Sequence, residues 1–158
     1  MKVSDAADRP LSIAYLAPEL GALTSTFIYR EVEALRQRGV SITLFSTTRP
    51  AGGRISEEAK PVVAETQYLY DASRPALAMS APGRFHRHPL RFVRALALLA
   101  RDALTAQTPS AGDRLKMLWH FLLGCRLAAA LESRGIRHLH AHFAHVPAAI
   151  AMYAALLA

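Results

Sequence analysis

The pattern of apolar and polar positions in the first third of the chain predicts a strand, a helix and a second strand. Residues 11–17 (LSIAYLA) form a short apolar run, as in a strand buried within a parallel sheet. Residues 26–39 carry apolar side chains at the spacing of one helix face and end on a glycine, and residues 40–46 alternate between apolar and polar. A strand, a helix and a strand this close together predict a βαβ unit with parallel strands.

The rest of the chain predicts further helices and two more strands. The predicted elements, in order, are a loop (47–60), a short third strand (65–70), a surface crossing rich in Pro, Ser and Arg (71–88), two helices (89–106 and 113–134), a fourth strand (136–143) and a last helix (146–158). This order predicts an α/β fold with a Rossmann-like parallel sheet and flanking helices.

The length of 158 residues leaves room for one domain with a sizeable core but hardly for two. We expect a flexible N-terminus at 1–10 and one Rossmann-like domain over 11–158. The last helix ends on the apolar run YAALLA without a polar cap, which predicts that the chain continues in the intact protein. Residues 1–10 lack the apolar core of a secretory signal, and no apolar stretch reaches the ~20 residues of a membrane span. The sequence therefore predicts a cytoplasmic protein, free or peripheral on the inner face of the cell membrane.

The charge balance of 19 Lys and Arg against 12 Asp and Glu gives a net charge of +7, which predicts an anionic partner. Five arginines recur at spacings that align them on one helix face, namely Arg84, Arg87, Arg91, Arg94 and Arg101. Such a basic amphipathic segment is typical of a helix that lies on an anionic membrane surface, and the alternative is a solvated cationic face on a helix packed against the core. No nucleic-acid partner is expected, because the chain has no binding motif and only 8% aromatic residues.

The loop after the first predicted strand is a candidate anion site. It contains Gly21 and then three hydroxyl residues, Thr24, Ser25 and Thr26, at the start of the next helix. Ligands of open α/β sheets bind beyond the carboxyl ends of the strands, and free N–H groups at a helix start favour an anion. The loop lacks the G-x-G-x-x-G pattern of a dinucleotide site, so no cofactor is expected. Ordinary capping of the helix is the alternative for one of the three hydroxyl residues.

Four histidines stand within HLHAHFAH, residues 138–145. In a strand, His138, His140 and His142 share one face, which makes His140 and His142 candidates for the lining of a cleft, with ordinary packing or solvation as the alternative. The spacing H-x-H-x-x-H also matches part of a binuclear metallo-hydrolase signature. That chemistry requires an aspartate where Ala144 stands, and the single cysteine, Cys125, excludes a thiolate zinc site. We therefore expect no metal, with a metal-dependent hydrolase as an alternative function.

Two stretches resemble family-4 glycosyltransferases of the GT-B fold, especially bacterial exopolysaccharide and colanic-acid-type enzymes. Residues 13–46 match the family opening, in which L-S-E-T-F-I and E-x-x-A-L-x-x-x-G precede a second strand, here LTSTFI and EVEALRQRG. Residues 138–158 match the later H-A-H-F-A and P-A segment. The departures are Ser25 in place of the family glutamate, and the absence of the T-x-H-x-x-D segment and of the whole C-terminal domain that follow in the family.

The resemblance implies the N-terminal, acceptor-side domain of an enzyme that moves a sugar from a nucleotide-sugar donor to a lipid-linked or polysaccharide acceptor. It implies a retaining reaction without a catalytic metal, in exopolysaccharide or cell-envelope glycan synthesis. Gly21 and residues 24–26 would face the donor phosphate or the acceptor, and His140 and His142 would lie at the cleft edge. The catalytic residues and the donor-binding domain would lie beyond Ala158, so we expect this chain alone to be inactive. A non-enzymatic peripheral membrane or anion-binding module is the remaining alternative.

Overall fold

The computed structural model describes residues 11–22, 26–50, 55, 57–105 and 110–158. The predicted flexible terminus, 1–10, lies outside these residues. The strands are β1 (Ser12–Ala17), β2 (Ser41–Ser46), β3 (Gln67–Tyr68) and β4 (His138–Ala141). The helices are α1 (Thr26–Gln37), α2 (Lys60–Glu65), α3 (Arg74–Arg87), α4 (Pro89–Thr105), α5 (Ala111–Ser133) and α6 (Val146–Leu157), with 3-10 turns at Glu57–Ala59 and Leu69–Asp71.

The four strands form one parallel sheet in the order β3-β2-β1-β4. The first strand, β1, lies in the interior of the sheet; β2 and β3 follow outward on one side of it, and β4 pairs with β1 on the other side. In the register, Tyr15 of β1 lies between Leu44 of β2 and His140 of β4. The predicted α/β fold with a parallel sheet and flanking helices, compatible with a Rossmann-like arrangement, is confirmed.

The two faces of the sheet bury two separate cores, because successive residues of β1 point to opposite sides. Ile13 and Tyr15 pack under α1, together with Ile28 and Val32 of that helix. Ala14 and Leu16 belong to a larger core on the other face, which is built with the helices α3 to α6. The crossover helix α1 and the last helix α6 therefore cover opposite faces of the sheet.

Local sequence signals explain four of the helix ends. Gly39 and Gly135 adopt positive φ values of 81° and 65° just after α1 and α5, where a left-handed residue ends a helix without strain. Ser110 and Asp113 form a reciprocal capping box at the start of α5. Pro147 stands in the first turn of α6, where the missing N–H has no cost.

Three segments differ from the sequence predictions. The predicted surface crossing at 71–88 is the helix α3, which starts at the N-cap Ser73 and contains Pro82. Within the predicted loop at 47–60, of which residues 51–54 and 56 lie outside the described residues, a 3-10 turn at Glu57–Ala59 leads into the unpredicted helix α2. The third strand is shorter than predicted, because β3 pairs with β2 at only two positions.

Candidate functional site

A crevice is expected where β1 and β4 end side by side. The connection after β1 leads to α1 on one face of the sheet, and the connection after β4 leads to α6 on the opposite face. The two connections therefore diverge at the carboxyl end of the sheet. In open α/β sheets this point, where the strand order reverses, is the usual place for a ligand.

A set of rings lines this point on the α1 side of the sheet. The centroid of Tyr15 lies 5.0 Å from that of His140 and 4.9 Å from that of His142, and the two imidazoles lie 4.5 Å apart. Phe27, in the first turn of α1, lies 6.0 Å from His142 and 6.1 Å from Phe143. We call these five residues the aromatic cluster. Phe27 and Phe143 are half exposed at its rim, whereas Tyr15 and His142 form its buried floor.

The register of the sheet explains why these rings meet. Tyr15 and His140 are paired residues on the neighbouring strands β1 and β4, so their side chains project from the same face. The backbone N–H of His142 donates to the carbonyl of Leu16 at 2.8 Å, which extends the pairing one residue beyond β4. The prediction that His140 and His142 share a face is thereby confirmed, and both lie at the carboxyl end of the sheet.

The hydroxyl of Tyr15 is held by Glu31 of α1, to which it donates a hydrogen bond of 2.8 Å. Burial first, and then the hydrogen bond and negative charge of Glu31, together raise the pKa of Tyr15 to about 12. Tyr15 therefore remains a protonated phenol at neutral pH. Its ring is a fixed wall against which both imidazoles pack.

His142 presents a buried polar atom that nothing in the described part of the chain satisfies. The side chain is 9% exposed, and its Nε2 has no hydrogen-bond partner. Burial lowers the pKa of His142, the neighbouring His140 lowers it as well, and Glu31 opposes both effects. At pH 7 the imidazole is neutral. A buried, unpartnered ring nitrogen costs free energy unless a ligand or water bonds to it.

The backbone turns sharply just after this histidine. Phe143 adopts a φ of 69°, the one positive value outside glycine among the described residues. A bulky side chain in this region costs on the order of 1–3 kcal/mol, and such strain is concentrated at functional sites. The turn directs the chain towards α6 and leaves the Phe143 ring facing Phe27.

The loop after β1 is fixed by hydroxyl groups from the end of β2 and the residues after it, which the sequence did not predict. The carbonyl of Pro18 accepts hydrogen bonds from Ser46 Oγ and Thr48 Oγ1, each at 3.2 Å, and from Thr47 Oγ1. Ser46 Oγ in turn accepts from the backbone N–H of Leu20 at 3.0 Å. These bonds tie the carboxyl ends of β1 and β2 together.

The predicted anion loop is placed only in part. Gly21 is buried with a φ of 94°, and a Cβ at this position would collide with the side chain of Val63 in α2. Glycine is therefore required here by packing and by backbone conformation. Thr26 is the first residue of α1. Thr24 and Ser25 lie outside the described residues, so the predicted role of the hydroxyl triplet stays a prediction.

The four histidines of 138–145 do not converge. His140 and His142 belong to the aromatic cluster, whereas His145 precedes α6. His145 lies near His120 of α5, where burial and then the charge of His145 lower the pKa of His120. Within the described ranges, no group of three or more His, Cys, Asp or Glu side chains is arranged to hold a metal ion. The carboxylate of Glu31 accepts the hydrogen bond from Tyr15.

The arginines predicted to share one cationic face are divided between two environments. Arg84 is 2% exposed, forms an ion pair with Glu132 of α5 and donates to the carbonyl of Leu157. Its place on an outward face was therefore predicted wrongly, because α5 and α6 pack over this position of α3. Exposed guanidinium groups remain at the other four positions, Arg87, Arg91, Arg94 and Arg101.

None of the helices in the described ranges is both long enough and apolar enough to cross a membrane.

In comparisons with known proteins, the chain matches no protein-family model, no curated protein and no solved structure. Inferences about function therefore depend on the geometry above and on the two stretches that resemble glycosyltransferases.

Proposed function

We propose that this chain is the acceptor-side, Rossmann-like half of a GT-B glycosyltransferase that transfers a sugar from a nucleotide-sugar donor to a lipid-linked or polysaccharide acceptor. The observation that carries the proposal is the unpartnered, buried Nε2 of His142 between Tyr15 and Phe27, at the point where the order of the parallel sheet reverses. The same histidine belongs to the H-A-H-F-A segment that resembles the family.

The aromatic cluster has the chemistry of a carbohydrate site. Sugar rings present apolar C–H faces, which pack on aromatic rings, and hydroxyl groups, which need hydrogen-bond partners. Phe27 and Phe143 offer two half-exposed rings at the rim, with centroids 6.1 Å apart. A neutral imidazole either donates to or accepts from a hydroxyl, depending on its tautomer. His142 supplies such a group below the two rings, and His140 supplies a second one that is exposed.

The proposal assigns acceptor binding to this chain and donor binding to a second domain. By the resemblance, the main nucleotide site and the catalytic groups belong to that second domain, which would close over the cluster. The isolated chain is then expected to bind a saccharide without turning over a nucleotide sugar. No step of the proposed reaction requires a metal or a cofactor held by these residues.

A saccharide titration followed by NMR tests the proposal. The ¹⁵N-labelled chain would be titrated with acceptor-like oligosaccharides and, separately, with nucleotide sugars. We expect saturable shifts of the backbone amides of Tyr15, His142 and Phe143, which disappear in His142→Ala. The matched control is His138→Ala, since His138 is an exposed histidine of the same strand outside the cluster. Shifts that persist in His142→Ala, or no saturable shift with any saccharide, would contradict the proposal.

The gene sequence provides an independent test of the second domain. DNA beyond the codon for Ala158 that encodes T-x-H-x-x-D and a further α/β domain supports the transferase assignment. The competing metal-dependent hydrolase makes a different prediction, namely stoichiometric zinc released when the purified chain is denatured. One or more zinc ions per chain would overturn the assignment.

A further inference from the structure

Helix α4 has apolar side chains on two opposite sides. On the inner side, Ala95 and Leu99 are buried in the larger core. On the outer side, apolar residues recur at alternating spacings of three and four positions and are all exposed, namely Leu90, Val93, Ala97, Ala100 and Leu104. We call this set the outer stripe. A helix on the surface of a domain normally carries polar residues on its outer side, so an apolar stripe there needs a partner.

The large side chains of the outer stripe are among the most exposed of the domain. Leu90 is 75% exposed, Val93 54% and Leu104 79%. They lie on the side of α4 opposite Ala95 and Leu99, which belong to the larger core. Removing exposed leucine and valine side chains from water is favourable, so contact with an apolar partner would stabilise the bound state.

One border of the outer stripe and its N-terminal end are positively charged. Arg94 and Arg101 each follow a stripe residue by one position, which places both along the same border. At the N-terminal end, Leu90 lies in a surface depression that is also lined by Arg87, Arg91 and Arg94. The acidic residue of α4 is Asp102, which turns towards the inner side and pairs with Arg101 at 3.3 Å.

We propose that the outer stripe of α4 lies on an anionic lipid membrane, with its leucines and valine at the acyl boundary and its arginines on lipid phosphates. An exposed apolar stripe bordered by arginines is the pattern of a helix that lies in the plane of a membrane interface. Guanidinium groups form charge-assisted hydrogen bonds with phosphate oxygens, and their long side chains reach the headgroups while the stem covers apolar surface.

The charge pattern favours a membrane over a second copy of the chain. If two copies of α4 paired through the outer stripe, Arg94 would need a carboxylate on the partner helix, whereas Arg101 already pairs with Asp102. The outer side of α4 carries no carboxylate. At 17 residues and about 25 Å, the helix is also shorter than a membrane span, which agrees with a position in the interface plane. Membrane docking does not depend on the transferase proposal.

Co-sedimentation with vesicles tests this surface in the absence of saccharide and nucleotide. The full chain would be mixed with vesicles of phosphatidylcholine alone or with added phosphatidylglycerol. We expect binding to the anionic vesicles, weakened by high salt, and little binding to the neutral ones. The double variant Leu90→Ser with Leu104→Ser, and separately Arg94→Glu, should each lower the partition coefficient by about tenfold or more.

Two matched control variants test whether binding depends on the outer stripe itself rather than on net charge or on exposed apolar surface in general. Leu11→Ser removes a leucine that is 64% exposed elsewhere on the domain, and Arg38→Glu reverses an exposed charge at the end of α1. Both should bind nearly as the unmodified chain does. All four variants change exposed side chains, and circular dichroism would verify that each is folded.

Several results would overturn the proposal. Equal losses in Arg94→Glu and Arg38→Glu would show that binding follows net charge alone. Equal binding to neutral and anionic vesicles, or no binding to either, would exclude the docking role. A concentration-dependent dimer that the double leucine variant abolishes would assign the outer stripe to a second copy of the chain.

Discussion

The phenol of Tyr15 is joined to the carboxylate of Glu31 by a hydrogen bond of 2.8 Å, which links the middle strand of the sheet to its first helix. The bond lies under the aromatic cluster, where Tyr15 packs against both His140 and His142. Strand and helix are thereby held at a fixed distance where the candidate site opens. Because the bond involves the protonated phenol, this part of the site depends on pH.

Replacing Glu31 with Gln should lower the pKa of Tyr15 from about 12, but not to its ordinary value of 10, since burial is the largest cause of the shift. A group whose pKa is raised in the folded state stabilises the folded protein fully at pH values below its unfolded pKa. This stabilisation is lost as pH rises through the folded pKa. The contribution of Tyr15 is therefore complete below about pH 10 and decreases towards pH 12. Spectrophotometric titration of tyrosinate checks this, with Tyr15→Phe to identify the transition. An unchanged transition in Glu31→Gln would show that the carboxylate has no role.

Replacing His142 with Phe should remove the unpartnered ring nitrogen while retaining a ring against Tyr15. We expect this variant to be as stable as the original chain or more stable, whereas His142→Ala should cost about 2–4 kcal/mol through the cavity it leaves. Urea unfolding at pH 7.5 measures both. A His142→Phe variant that loses as much stability as His142→Ala would show that Nε2 is satisfied in the folded protein.

The same histidine predicts a pH dependence of stability. The pKa of His142 is lowered in the folded state, so its contribution is present above the unfolded value of 6.5 and is lost as pH falls from 6.5 through the lower folded value. His120 has a lowered pKa as well and acts in the same direction. Between pH 7.5 and 5.5, we therefore expect His142→Phe to lose less stability than the original chain, with a remaining loss from His120. Identical losses in the two proteins would contradict the shift at His142.

Much of the fold could be predicted from the local sequence pattern, and the missed helix α3 also has a local explanation. The apolar periods of 11–17, 26–39 and 40–46 predicted β1, α1 and β2 to within about two residues. Helix α3 was missed because residues 71–88 are rich in Pro, Ser and Arg and were predicted to cross the surface. Pro75 stands in the first turn, where it is tolerated, and Pro82 lies on the exposed side of the helix. The carbonyl that loses its helical partner there can bond to water.

The candidate site was only half predictable, because its other half depends on strand order. Alternation along one strand placed His140 and His142 together without knowledge of the sheet. That Tyr15 lies beside them follows from the pairing of β1 with β4, which are more than 100 residues apart in sequence. The burial of Arg84 has a similar origin, since spacing alone put it with the exposed arginines and the packing of α5 and α6 removed it.

Removing either partner of the ion pair between Arg84 and Glu132 should lower stability, but by different amounts. Glu132→Gln leaves a buried guanidinium without a counter-charge and should cost about 1–3 kcal/mol, a value below that of a fully buried pair because Glu132 is one-third exposed. Arg84→Met should cost less, because Glu132 retains His88 at 2.9 Å and water. Chemical unfolding measures the free energy of unfolding of both variants. An Arg84→Met variant that is less stable than Glu132→Gln would contradict the prediction.

Acid unfolding adds a further expectation for this pair. Hydrogen bonds from His88 and Arg84 lower the pKa of Glu132 to about 2. Its contribution to stability is therefore present above pH 4.5 and is lost as pH falls from 4.5 towards 2. Glu132→Gln should flatten the stability profile in this range. A profile as steep as that of the original chain would assign the acid sensitivity to other carboxylates.

Gly124 should tolerate no larger residue, because it lies where α5 meets α6. A Cβ at this position would come 2.6 Å from Cβ of Tyr153 and 3.3 Å from two backbone atoms of α6. We expect Gly124→Ala to cost about 1–3 kcal/mol through overpacking. The matched control is Gly83→Ala in α3, where a Cβ meets nothing within 4 Å and the added helix propensity should stabilise by about 0.5–1 kcal/mol. Thermal unfolding measures both changes, and a stabilised Gly124→Ala variant would show that α6 can move away from α5. Tyr153 also makes an edge-to-face contact with Phe121. Such movement would therefore loosen the larger core, and near-ultraviolet circular dichroism would detect it.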